Sequence, residues 1–206
     1  DLSPRALLTL NEVSLIAAED TRHSSKLLRH FGILTPVIAF HEHNEREKAA
    51  ELVAYLASGK SVALISDAGT PLVSDPGYRL VRGAHAAGIR VVPLPGACAA
   101  IVALSASGLP SDRFAFEGFP PVKSAARRAW FEALAGEPRT LIVYESPHRI
   151  AESLQDMAAV FGATREAVYA RELTKQFETV RHATLGELAR WVAEDANQQR
   201  GEIVVL

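Results

Sequence analysis

The 206-residue sequence predicts an α/β protein of two domains, and three observations carry that prediction. Short apolar runs alternate with segments of helical period through the first half. Those runs are nearly continuous (Leu15-Ile16-Ala17-Ala18 and Val62-Ala63-Leu64-Ile65), as expected of parallel strands covered on both faces. The alternation then breaks at Gly108-Leu109-Pro110-Ser111-Asp112, which is turn chemistry. The expected domains span residues 1–110, around a mostly parallel sheet, and 111–206, around a mixed sheet, each an α/β/α arrangement.

Element by element, Ser3-Pro4 starts a helix running to Asn11, because Ser caps free amides and Pro suits the first turn. Residues 13–18 form a buried strand, and Thr21 to His30 a helix closed by Gly32. A short strand from Val37 to Phe40 leads into the polar turn His41-Glu42-His43-Asn44, and Glu45 to Ser58 is an amphipathic helix stopped by Gly59. Ser61 to Ile65 is a strand feeding the loop Ser66 to Gly77. Gly77 to Ala87 is helical, Ile89 to Leu94 a strand, and Gly96 to Ser107 a helix of small residues. Beyond the boundary, Arg113 to Phe119 alternates as a half-buried strand. Helices follow at Ser124–Ala135, Pro147–Phe161 and Leu185–Glu194, with strands at Thr140–Tyr144, Ala167–Arg171, Glu178–Thr184 and Glu202–Leu206.

No apolar stretch approaches the ~18 residues that cross a bilayer, so a membrane partner is not expected. One cysteine, Cys98, forms no internal disulfide, which fits a reducing, cytoplasmic setting. It reads as a small buried filler more readily than as a nucleophile. The chain opens at Asp1 on a helix cap and closes inside an apolar run, and so reads as clipped at both ends. Net charge of −2 carries no global signal for nucleic acid, but basic segments stand out locally. Arg22, Lys26 and Arg29 share one acid-free stretch, and Lys123, Arg127 and Arg128 share another.

Three sets of residues lie where parallel sheets bind ligands, beyond the carboxyl ends of strands. The loop Ser66 to Gly77 holds two Asp, two Gly and two Pro, with hydroxyls at Ser66, Thr70 and Ser74. It reads either as a ligand wall or as a structural turn, and it lacks the common phosphate-loop fingerprints. Pro93 to Ala100 bares backbone at Pro95-Gly96 for a flat ligand, or serves close helix packing. Charged clusters follow apolar strands at Glu19-Asp20-Thr21-Arg22, Tyr144-Glu145-Ser146-Pro147-His148-Arg149 and Arg171-Glu172-Leu173-Thr174-Lys175. Each alone reads as ion pairs and caps; together they point to a site, because charge there costs desolvation unless used. His41-Glu42-His43 lacks a third ligand cluster and reads as a solvated turn, so no metal is expected.

Taken together, AAEDTRHSSKLLRHFGI, HEHNE, SDAGTPLVSDPGYRLV, PLPGACAAI, FEGFPPVKS, YESPHR, RELTK and GEIVVL resemble the bacterial ribosomal small-subunit methyltransferase I family, over essentially the whole chain. That family belongs to the tetrapyrrole-methylase-like class. The resemblance implies S-adenosylmethionine as cofactor, an active cleft between the two domains, and a homodimer acting on 16S ribosomal RNA of the 30S subunit. It implies 2′-O-methylation of a cytidine ribose by in-line displacement, for which the enzyme chiefly aligns the hydroxyl. Carried onto this chain, cofactor contacts fall on Asp67, Ala68, Gly69, Thr70, Pro71, Pro95, Gly96, Ala97, Ala99, Phe116, Tyr144 and Leu173. Catalytic candidates are Glu19, Asp20, Glu172 and Lys175. RNA contacts fall on Arg22, Lys26, Arg29, Lys123, Arg127, Arg128, Arg149 and Arg171. The sequence departs from the family in two places: a first strand with its Gly-Asn-Leu loop is expected before Asp1, and Ala97 stands where Pro is common. Two other readings stay open, a tetrapyrrole methylase of the same fold and a non-catalytic ligand- or RNA-binding module.

Overall fold

The computed structural model describes residues 1–206, which divide into two compact units, Asp1–Cys98 and Ala99–Leu206. In the first unit α1 (Pro4–Glu12) begins where Ser3 Oγ accepts from Ala6 N at 3.2 Å. Strand β1 (Leu15–Ala18) leads into α2 (Thr21–His30), whose first amides are held by Asp20. Then come β2 (Val37–Ala39), α3 (Glu45–Ala57), β3 (Val62–Ile65) and α4 (Tyr78–Ala86). The sheet order is β2-β1-β3, all parallel, with Ile16, Ala17 and Ala18 of the central strand fully buried. Leu10, Leu28 and Ile33 cover one face and Phe40, Leu52 and Leu80 the other, as the continuous apolar run of β1 requires.

Two expectations differ here. Ile89–Leu94 makes no ladder, and Val91 and Val92 stay 37% and 45% exposed. The outer edge of β3 is left unpaired by it, and Pro93 removes one ladder donor from the segment. Accordingly β3, although apolar throughout, is only half-buried. The small-residue helix begins at Ala99 rather than Gly96, since Pro95-Gly96 remain irregular.

The second unit opens with that helix, α5 (Ala99–Ser107), which lies against β5 (Thr140–Glu145), β7 (Thr179–Thr184) and β8 (Ile203–Val205). The boundary between the compact units therefore falls a helix earlier than the turn at Gly108–Asp112. The reason is that α5 is apolar all round and carries no stripe to show which sheet it covers. The sheet runs β4 (Phe114–Gly118), β5, β8, β6 (Glu166–Arg171), β7, and β4–β5 is its one parallel pair. Helices α6 (Ser124–Leu134), α7 (Ile150–Phe161) and α8 (Leu185–Glu194) bury Phe131, Leu154, Leu188 and Val192, each contributing about 1.5–3 kcal/mol by leaving water. Thr184 and Glu187 form a reciprocal cap at the start of α8. A short 3-10 turn, Ala196–Gln199, capped by Asp195, adds an element that the sequence pattern does not mark. No helix is long and apolar enough to cross a membrane.

Candidate functional site

In the first unit the chain reverses direction at the carboxyl ends of β1 and β3, and charged residues tie those ends together. Asp20 N donates to Asp67 Oδ1 at 3.1 Å, and Asp67 N donates to Glu19 Oε2 at 3.4 Å. The loop is held further along by Thr70 Oγ1, which donates to Ala97 O at 2.8 Å and so joins Asp67–Pro71 to Pro95–Ala97. Leu72 and Ser74 adopt left-handed backbone, with φ of 73° and 64°. Non-glycine residues hold that conformation only where surroundings over-determine it. Gly77 helps do so: a Cβ there would lie 2.6 Å from both Leu64 and Leu72. Glu45 completes the brace, its Oε1 accepting from Gly77 N at 2.9 Å and Arg79 N at 3.0 Å.

Inside this brace the backbone is bare. A Cβ at Gly69 would come no nearer than 3.8 Å to Ala97 O, and one at Gly96 would meet nothing within 4 Å. Ala68, Gly69, Pro95 and Gly96 are exposed, while Ser66 Oγ is buried without a hydrogen-bond partner. Of the predicted cofactor residues, the structure thus brings Asp67, Ala68, Gly69, Thr70, Pro71, Pro95, Gly96 and Ala97 into one neighbourhood.

Ala99, Phe116, Tyr144 and Leu173 belong to the second unit. Tyr144 Oη accepts from Ala100 N at 3.1 Å, next to Ala99, and its ring meets Phe116 edge-on at 4.8 Å. Leu173 sits apart from these rings in the chain, in the turn after β6, between two left-handed residues, Glu172 (φ 49°) and Thr174 (φ 63°). Here Glu172 Oε1 accepts from Lys175 Nζ at 2.8 Å and Glu202 N at 2.9 Å, and Lys175 Nζ also reaches Glu202 Oε2 at 3.1 Å.

The charges have physical causes. Asp20 is held below the usual carboxylate range by the Arg22 amide first and by its guanidinium second. Glu172 is lowered by the Lys175 ammonium, then by the Glu202 amide. Burial pulls Lys175 down, but its bonds to Glu172 and Glu202 outweigh that and leave it raised. Asp20 and Glu172 are therefore weak bases with committed oxygens, and Lys175 stays a cation.

The basic residues separate into two groups. Arg22, Lys26, Arg29, Lys123 and Arg128 are exposed, as an RNA face needs. Arg127 is not: its side chain is fully buried and paired with Asp156, Nε at 2.8 Å and the terminal nitrogen at 2.7 Å. It shares the inner face of α6 with Phe131, four residues on, and that spacing is the sequence signal for its burial. Arg171 is likewise buried, spending its donors on Gln198 Oε1, Phe177 O and Thr179 Oγ1. Both are removed from the RNA-contact set, because neither offers its guanidinium to a ligand. Arg149 lies between the groups, partly exposed, with Glu145 Oε1 at 2.7 Å. His41-Glu42-His43 forms a turn organised by Asn44, whose side chain accepts from His41 N and donates to Ala39 O.

Sequence reasoning misses Glu45 and Glu202 as members of these clusters. Each lies far along the chain from what it braces, and only HEHNE and GEIVVL mark them.

Residues 1–189 match the family model of Tetrapyrrole (Corrin/Porphyrin) Methylases. Over all 206 residues the chain is 65% identical to the Ribosomal RNA small subunit methyltransferase I of Pseudomonas aeruginosa, covering 73% of that protein. It is 59% identical to the protein of the same name from Escherichia coli O157:H7, covering 72% of it. Among solved structures, a Thermus thermophilus uroporphyrin-III-C-methyltransferase aligns with 98% of the chain and 86% of its own, at 19% identity and TM-score 0.66. A diphthine synthase aligns with 99% of the chain and 83% of its own, at 16% identity and TM-score 0.69. Those structures share the fold. The chain belongs to the tetrapyrrole methylase family and, within it, to the ribosomal RNA small subunit methyltransferase I family.

Proposed function

We propose that this methyltransferase acts in the cytoplasm, as a homodimer, transferring a methyl group from S-adenosylmethionine to the 2′-oxygen of a cytidine ribose in 16S ribosomal RNA. The observation that carries the reading is 65% identity over the whole chain to a ribosomal RNA small subunit methyltransferase I, joined to a braced loop of bare backbone at Asp67–Pro71. The residues present fit the cofactor. Exposed Gly69 and Gly96 let a flat ligand approach, and Ser66 Oγ is an orphaned polar atom at the start of the same loop. Asp67 to Pro71 and Pro95 to Ala97 would hold it. When bound, the cofactor supplies a sulfonium methyl.

The chain's own residues bind and orient. Arg22, Lys26, Arg29, Lys123 and Arg128 would take phosphates, and Arg149 one more. The ribose hydroxyl must lose its proton. Among the four catalytic candidates, Glu19 is the carboxylate least committed, with one long bond from Asp67 N. Glu172 and Lys175 then act as a fixed electrostatic pair, and Asp20 as the cap that positions α2.

The test is transfer of labelled methyl into isolated 30S subunits. Incorporation into ribosomal RNA ribose supports the reading; incorporation into a precorrin and none into RNA would replace it with the tetrapyrrole alternative. Thr70→Val should weaken cofactor binding several-fold with little change in melting temperature, because it frees the loop from Ala97.

A further inference from the structure

The second unit carries a feature the cofactor reading does not use. β4 shifts register against β5 between Phe116 and Gly118, and Gly118 takes left-handed backbone at φ +69°. Bulges re-aim the residues that follow. The next residue, Phe119, is 53% exposed, yet its ring is not loose: it meets Tyr144 edge-on at 5.6 Å, and Tyr144 is held by Ala100 N. A guanidinium is fixed beside it. Arg149 donates to the carbonyl of Pro120, the residue after Phe119, at 3.4 Å, and pairs with Glu145 at 2.7 Å. Glu145 is buried to 2% exposure, so the anchor is rigid, and a guanidinium has donors to spare after two contacts. Local charge is positive: between Arg113 and Phe131 the acid is Glu117 alone, against Arg113, Lys123 and Arg128, with Arg127 already neutralised by Asp156.

We infer that Phe119 and Arg149 form a nucleotide subsite, in which the ring stacks a base of single-stranded RNA and the guanidinium takes an adjoining phosphate. This rests on the RNA substrate proposed above. A fixed aromatic face next to a fixed cation is how proteins hold unpaired nucleotides. A cofactor role for the ring would need no neighbouring phosphate donor.

The experiment titrates the purified protein with a fluorescein-labelled, cytidine-containing single-stranded RNA oligonucleotide across a salt series. Phe119→Ala should weaken binding about tenfold with the salt slope unchanged, and Phe119→Trp should restore it. Arg149→Gln should lower the salt slope by about one. Cofactor affinity and melting temperature should be unchanged in Phe119→Ala. The subsite is overturned if Phe119→Leu binds RNA as wild type does, or if Phe119→Ala loses cofactor affinity while keeping RNA affinity. If the wild type methylates 30S subunits and Phe119→Ala binds and methylates RNA equally well, the subsite alone falls. If the wild type neither binds nor methylates RNA, the proposed function falls with it.

Discussion

At the loop of the first unit Glu19, Asp67 and Glu45 spend their oxygens on backbone amides, whereas in the second Glu172, Glu202 and Asp156 pair with Lys175 and Arg127, Glu172 while also accepting from Glu202 N and Asp156 from Ser124 Oγ. The difference has consequences. Carboxylate-to-amide bonds fix the shape of loops and leave bare glycine backbone facing outward, which suits a site that cradles a ligand. Carboxylate-to-cation pairs fix side chains, and they respond to pH and to loss of either partner. Building the loop site from amide bonds also keeps its geometry from depending on a competing cation.

The largest effect expected from this contrast is at the buried pair. Arg127→Ala leaves Asp156 uncompensated and should cost about 3–5 kcal/mol, whereas neighbouring Arg128→Ala should stay within about 0.5 kcal/mol. Thermal melting of the two variants checks this; equal stabilities would contradict the burial. Next is Gly201→Ala. It forces a side chain into φ +75°, with a Cβ 2.4 Å from Glu172, and should cost about 2 kcal/mol while displacing Lys175. In the first unit, Glu45→Ala removes one acceptor from two amides and should cost about 1 kcal/mol, read by urea unfolding. An Arg127→Ala cost no larger than that of Glu45→Ala would dissolve the comparison.

The smallest effect is in pH. Arg139 draws Glu137 down to about 2, by its guanidinium first and its amide second, from an ordinary 4.5. A depressed carboxylate contributes stability that is full above the unfolded value and lost as pH falls through the folded one. Wild type should therefore lose slightly more stability than Glu137→Gln between pH 4.5 and about 2. The pair is partly exposed and so screened by water, which keeps the difference small and should shrink it further in salt. Parallel melting curves across that range would refute it.

Local chemistry makes much of the fold legible. α2 is bounded by Asp20 as cap and Gly32 beyond its end, and both act at short range, so the sequence shows its limits. The strands β6 and β7 and the helix α8 are legible for the same reason. What the sequence hides depends on partners distant along the chain. Ile89–Leu94 has strand composition but pairs with no strand. Arg127 stands in an acid-free segment, and its partner Asp156 lies on the next helix. At the site, the loop Asp67–Pro71 is visible by composition, but the bond from Thr70 to Ala97 and the lysine clamp of Glu172 and Glu202 are not. Those contacts join segments whose spacing carries no period. The bonds that commit the oxygens of Asp20 and Glu172 are likewise invisible in the sequence.

Ribose methylation of small-subunit ribosomal RNA has a direct test. The most direct measurement incubates purified 30S subunits with the protein and methyl-labelled S-adenosylmethionine, then maps labelled nucleosides by mass spectrometry. Label is expected in a single 2′-O-methylcytidine of 16S ribosomal RNA, dependent on an intact Asp67–Pro71 loop. Label on a nucleobase, or no label in RNA from an enzyme that binds the cofactor, would contradict it.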